Sequence, residues 1–195
     1  MSRNDATRVF SRAIQFTLWW ETGGDLERGA PHTDPEDVGG FTCWGLAQRF
    51  HPMIDVASLT RAQAEAYYFE NYWRRGQCHK MRAPVAVAHF DCFVNRPPEK
   101  AVGVLQHVVG AVVDGELGSR TLAALDYAIL HAEFDPATQQ SGAYAIALRL
   151  VDRRCDENIR KWRRENKWTH VEGLASRWVA LAALVATTPD AITAS

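Results

Sequence analysis

Apolar residues recur at helical spacing over residues 7–20, where Val9, Ala13, Phe16 and Trp20 fall on one face. The run Glu21-Thr22-Gly23-Gly24 predicts the end of that helix, because paired glycines favour a C-terminal cap and a turn. Residues 22–41 are rich in Gly, Pro and Asp and read as loop, with room for a short β-hairpin. So long an irregular stretch is uncommon inside a domain and is often functional. Order resumes near Thr42, in a new helix after Gly39-Gly40-Phe41-Thr42. Thr60-Arg61-Ala62-Gln63 carries a capping box and predicts a helix to about Trp73, with Ala62, Ala66, Phe69 and Trp73 inward. Pro84 opens a further helix through Val87, Phe90 and Val94. Pro97-Pro98 closes that helix and starts the next, with Val102, Leu105 and Val109 on one side. A turn at Val113–Gly118 leads to a helix over 121–131. The longest helix spans about 143–167, with Leu148, Val151, Cys155, Ile159 and Trp162 on one stripe, and a last one covers about 171–186. Nothing reads as a long strand or an internal repeat, and the last residues read as a loose tail.

This pattern predicts a mainly α fold built as one unit over 1–195. Composition agrees: 47% of the 195 residues are hydrophobic and 10% aromatic, enough for a buried core. The formal net charge of −1 sets up no global field toward nucleic acid. The N-terminus lacks the apolar region of a secretory signal, and the longest apolar run, Trp178 to Ala186, is too short to span a membrane. The expectation is a soluble, monomeric protein made in the cytoplasm that needs outside help to leave it. Cys43, Cys78, Cys92 and Cys155 are spaced too irregularly for a disulfide framework or a zinc ribbon. Cys78-His79 with His89-x-x-Cys92 is a weak metal pattern beside the simpler reading of core cysteines, so no metal or organic cofactor is expected.

The chemistry concentrates in ETGGDLERGAPHTDPEDVGGFTCWG, residues 21–45. It puts a carboxylate at a helix end, then an acidic, glycine-rich loop. Cleaving a glycosidic bond needs a proton for a poor leaving group and support for an oxocarbenium-like centre. A carboxylic acid can deliver that proton when burial against aromatic surface disfavours its charged form. Glu21 directly follows Trp19-Trp20, which suits the role of general acid. The second carboxylate should face it from the loop: Asp37 first, with Asp34 and Glu36 close behind. The Thr42 hydroxyl is placed to position a water or to orient Asp37. Spacing alone also allows a solvated helix-end glutamate.

The segment resembles glycoside hydrolase family 108, lysozyme-like N-acetylmuramidases of phage endolysins and some bacterial chromosomes. That family opens on Glu-Gly-Gly and continues with Asp-Pro-x-Asp-Pro-Gly-Gly-x-Thr-x-x-Gly. Here the chain reads Glu21-Thr22-Gly23-Gly24, then Asp34-Pro35-Glu36-Asp37-Val38-Gly39-Gly40-Phe41-Thr42-Cys43-Trp44-Gly45. Tyr72-Trp73 and Phe90-Asp91-Cys92-Phe93-Val94-Asn95 resemble later family motifs. Leu105-Gln106, Val113-Asp114-Gly115, Gly118 and Thr121 resemble an accompanying peptidoglycan-binding-like region. Thr22, Val38, Cys43 and Arg96-Pro97 depart from the pattern. The resemblance implies a lysozyme-like helical domain with a long active-site loop, a catalytic part over 6–95 and a helical wall-binding part over 96–187. It implies Glu21 as the catalytic residue, and hydrolysis of the bond between N-acetylmuramic acid and N-acetylglucosamine in bacterial peptidoglycan. Such an antimicrobial, bacteriolytic endolysin would wait in the host cytoplasm until released to the wall.

Tyr72, Trp73, Asp91, Asn95 and Gln106, with Asp34, are the expected substrate contacts, since sugars offer apolar ring faces and hydroxyl edges. For Trp73 core packing is an equal reading, and Asp91 with Asn95, one helical turn apart, suits a cleft floor or a structural network. Eight Arg and Lys residues from Arg149 to Lys167 read as a solvated face that can hold the chain near an anionic envelope. Three other functions stay open: a lytic transglycosylase using one glutamate, a non-catalytic wall-binding protein, and a chitinase.

Overall fold

The structure is a computed structural model that describes residues 3–33, 40–132, 141–166 and 171–190. Its organising element is a helix apolar nearly all round. In α3 (Ala83–Val94) every residue from Ala83 to Phe93 is buried, and a helix with no polar face must sit inside the others. Around it pack α1 (Arg3–Glu21), α4 (Pro98–Val109), α6 (Gly142–Glu165) and α7 (Val171–Ala186). Between them, α5 (Ser119–His131) packs against α4 and α6. The capping box forms as expected: Thr60 Oγ1 accepts from the Gln63 backbone and the Gln63 side chain accepts from the Thr60 backbone, starting α2 (Arg61–Tyr68). One hydrophobic cluster joins Leu18, Trp73 and Phe90 from the first half of the chain with Leu105, Ile146 and Leu181 from the second.

Three helix faces differ from the expected ones. On α1 the buried residues are Val9, Ala13, Ile14, Thr17 and Leu18, while Phe16 and Trp20 sit at the rim. That rotation brings Glu21 onto the inward side at the helix end. On α2 the inward residues are Ala64 and Tyr68, and Ala62 and Ala66 are exposed. The helix then widens into a π-helical turn, Phe69–Arg74, which shifts the phase by about one residue and returns Trp73 to the core. Trp73 packs edge-on against Phe10 and Phe90, with ring centroids 5.5 Å away in each pair. On α6 the buried stripe is Ile146, Ala147, Leu150, Val151 and Arg154, and Leu148 is exposed. Arg154 turns inward because its partner lies on α3.

The expected hairpin is present and larger than anticipated. Strands β1 (His32–Thr33), β2 (Phe41–Cys43) and β3 (Leu46–Ala47) form an antiparallel sheet in that order. His32 pairs with Thr42, and Cys43 with Leu46. The helix expected after Thr42 is instead β2, a turn and β3. Trp44 and Gly45 form that turn with φ of +55° and +73°, the geometry that suits a two-residue hairpin loop. A left-handed Trp costs roughly 1–3 kcal/mol. Burial of its indole offsets this: Nε1 donates to the Leu59 carbonyl at 2.9 Å, and the ring lies so close over Gly29 that a Cβ there would sit 2.4 Å from it.

Candidate active site

Glu21 ends α1 where that helix meets the hairpin turn. Its side chain is 23% exposed, mostly withdrawn from solvent. Gly45 is pressed against it, and a Cβ at that position would lie 2.6 Å from the Glu21 Cβ and 2.9 Å from the Tyr68 hydroxyl. Tyr68 is buried and donates its hydroxyl to the Trp44 carbonyl at 3.0 Å. The hairpin turn is thereby fastened to α2 beside the carboxylate.

The electrostatic partner comes from the far end of the chain. Arg177 of α7 donates from Nη1 to Glu21 Oε1 at 2.7 Å. The same guanidinium donates to Asp91 Oδ1 from Nη2 at 2.6 Å and from Nε at 3.0 Å. Arg154 of α6 closes the row by donating to Asp91 Oδ2. Glu21, Arg177, Asp91 and Arg154 thus alternate in sign across four helices, and the row is charge-balanced when Glu21 is ionised. Burial alone would raise the Asp91 carboxyl, but Arg154 and Arg177 outweigh it and hold the carboxyl below its usual range. Burial works against the charge of Arg177, and Asp91 and Glu21 more than restore it. Removing one partner of such a buried pair typically costs 3–5 kcal/mol, so the row fixes α7 to α3 as well as orienting Glu21.

Two tyrosines complete the surroundings. Burial, followed by the charge of Glu21, pushes the Tyr68 hydroxyl well above its usual range. Burial, then Tyr67 and Glu21, push Tyr72 up to about 12. Both stay protonated near neutrality, and Tyr68 acts as a donor. The aromatic wall expected from Trp19-Trp20 is not the one observed. Trp19 is 54% exposed and covers Gly24, while Trp20 lies by Phe16. Gly45, Tyr68 and Arg177 take that place.

The other expected site residues scatter. Tyr72 comes to Glu21 through the tyrosine pair. Thr42 sits in β2, its hydroxyl 3.5 Å from the Gly40 carbonyl. Asp34, Glu36 and Asp37 lie outside the described residues. Trp73 is 1% exposed and belongs to the core, with no face left for a sugar. Asp91 is equally buried, so it floors no cleft and acts on Glu21 through Arg177. Asn95 donates to the Asp91 carbonyl at 2.8 Å and ends α3. Gln106 is buried and organises the 114–118 turn. Its Nε2 donates to Asp114 Oδ1 at 2.6 Å and its Oε1 accepts from the Gly115 backbone at 2.9 Å. Gly115 has a φ of +77° in that turn.

Sequence reading missed Arg177, Arg154, Tyr68 and Gly45. A signal existed for the two arginines: each is a lone cation on an otherwise inward stripe, which requires a buried anion. Among the described residues no group of three or more His, Cys, Asp or Glu is arranged to hold a metal ion, and no helix is long and apolar enough to cross a membrane.

The fold and this site define a class: a mainly α, lysozyme-like protein with a half-buried glutamate at the junction of a helix and a small sheet. Residues 14–96 match the family model of glycosyl hydrolase 108. The matched stretch holds Glu21, Gly45, Tyr68 and Asp91, whereas Arg154 and Arg177 lie beyond it. The structure of Brucella abortus SagA is similar over nearly its whole length, with a TM-score of 0.67, 24% sequence identity, and coverage of 93% of this chain and 96% of that one. No curated protein matches significantly.

Proposed function

We propose that the chain is a glycoside hydrolase acting on bacterial peptidoglycan, cutting the β-1,4 bond from N-acetylmuramic acid to N-acetylglucosamine, with Glu21 as general acid. The observation that carries this reading is Glu21 itself: a half-buried carboxylate held by Arg177 against the hairpin turn, inside the stretch that matches glycosyl hydrolase 108. In this scheme Glu21 protonates the leaving oxygen, and Arg177 keeps Oε1 in place so that the other oxygen carries the proton. Asp37, which falls between β1 and β2 in the sequence, is the second carboxylate, stabilising the cation, attacking it or activating water.

The deciding experiment is digestion of purified peptidoglycan by the parent chain and by Glu21→Gln. An amide cannot donate an acidic proton, so the variant should stay folded and lose at least about 100-fold in rate. Water-added reducing ends in the mass spectrum of the parent's products mark hydrolysis, and anhydro ends mark transglycosylation. Cleavage by Glu21→Gln at near the parental rate overturns the assignment.

A further inference from the structure

The π-helical turn at Phe69–Arg74 places side chains that an α-helix would separate. Residues five apart on an α-helix point roughly 140° away from each other. Here Tyr67 and Tyr72, five apart, have ring centroids 6.4 Å from one another, and Tyr72 also lies against Tyr68 at 5.1 Å. His51 fixes the outer ring, its Nδ1 lying 2.8 Å from the Tyr67 hydroxyl. Burial lowers the His51 pKa, so that pair is neutral near pH 7. A groove of about 300 Å³ opens beside this shelf, lined by Phe50, His51, Tyr67, Asn71, Tyr72 and Arg75. Phe50 is 66% exposed, an apolar face left open at the rim.

Charge at the groove is uneven. Arg96, at its far wall, is held by Glu157 at 2.5 Å and by Asn158 at 2.9 Å. Arg75 is exposed and near enough to the shelf for its charge to act on both Tyr67 and Tyr72. Tyr72 links the two places: it lines the groove and lies against Tyr68, whose hydroxyl meets Glu21 around Gly45. The volume suits one sugar ring with its substituents. Aromatic faces suit the ring, the Asn71 amide suits hydroxyl or acetamido groups, and a guanidinium suits a carboxylate.

We propose that this groove is a subsite continuous with the Glu21 site that takes an amino-sugar ring bearing a carboxylate, with Tyr67 and Tyr72 as its platform and Arg75 as its anion partner. The proposal rests on the reading of Glu21 as a glycan-cleaving residue, and it adds a preference for acidic over neutral glycans. A neutral N-acetylglucosamine oligomer would use the platform without the guanidinium.

The test is calorimetric binding to the full chain carrying Glu21→Gln, which removes turnover from the measurement. The probes are a peptidoglycan tetrasaccharide with free lactyl carboxylates, the same tetrasaccharide with those groups amidated, and a neutral N-acetylglucosamine tetramer. The free acid should bind tightest. Adding Arg75→Gln should weaken it by about ten-fold and erase its advantage over the amide, with the neutral tetramer unaffected. Adding Tyr67→Ala should weaken all three. Acid and amide binding alike to the parent, or Arg75→Gln and Tyr67→Ala both binding the acid as the parent does, overturns the subsite while leaving Glu21 catalysis standing. No binding of any probe, with no cleavage by the chain before Glu21→Gln is introduced, removes the catalytic reading and the subsite with it.

Discussion

Glu21 and Arg177 stand 156 residues apart in the chain and 2.7 Å apart at their Oε1 and Nη1 atoms. The end of the first helix is thereby tied to the last one, and the tie runs on through Asp91 to Arg154. Arg177→Gln tests both consequences. The variant leaves Asp91 with Arg154 alone, so stability should fall by about 3 kcal/mol or more, read from chemical denaturation. At a temperature where it is still folded, its kcat on peptidoglycan should fall further than its KM changes, because the carboxylate has lost its orientation. Parental kcat would show that the pair is structural only.

Gly45 and Gly40 separate backbone strain from damage to the site. Both have left-handed φ, +73° and +70°, but only at Gly45 would a Cβ meet Glu21 and Tyr68. Gly40→Ala should cost about 1 kcal/mol and leave peptidoglycan cleavage nearly intact. Gly45→Ala should cost more and cut cleavage by at least about ten-fold, since Glu21 must move. Equal activities in the two variants would argue against a tight Glu21 position.

His89 predicts the slope of stability in mild acid. It is buried, and burial pushes its pKa from 6.5 down to about 4. The unfolded chain therefore takes up the proton first. The contribution of uncharged His89 is whole above pH 6.5 and is lost as pH falls toward 4, on the order of 3 kcal/mol in all. Burial shifts His51 and His79 the same way. Asp91, lowered from 3.8, gives up its contribution only below that window. His89→Gln should flatten, without abolishing, the fall in unfolding free energy between pH 6.5 and 4.5. An unchanged slope would assign it to other groups.

Gln106 serves the turn, so its variant should separate stability from activity. Gln106→Ala strands the Gly115 amide and leaves Asp114 Oδ1 with the Glu116 amide as its donor, which should cost about 1–3 kcal/mol. Its kcat/KM on peptidoglycan, measured well below the melting temperature, should stay within about two-fold of the parent. A large selective loss would return Gln106 to the substrate cleft.

Local chemistry wrote much of this protein legibly. The period of apolar positions, the Thr60–Gln63 capping box, the prolines at Pro84 and Pro98 and the glycines after Glu21 determined where helices begin and end, and they put Glu21 at a helix terminus beside a loop. These signals act within a few residues, so a linear reading captures them. Tertiary packing decided the rest. The π turn that moves Trp73 inward and builds the Tyr67–Tyr72 shelf is held by contacts with α3. The left-handed Trp44 is held by Gly29 and Leu59. Asp91, Trp73 and Gln106 carry polar or aromatic groups suited to a sugar, yet each is buried. Whether such a side chain faces a cleft or the core depends on which helix lies over it. The partner of Glu21 depends on α7 crossing α3 at one register, and no spacing along the chain encodes that crossing, because it is set by packing of the apolar core between residues that meet only in the fold, Glu21 and Arg177 being 156 residues apart.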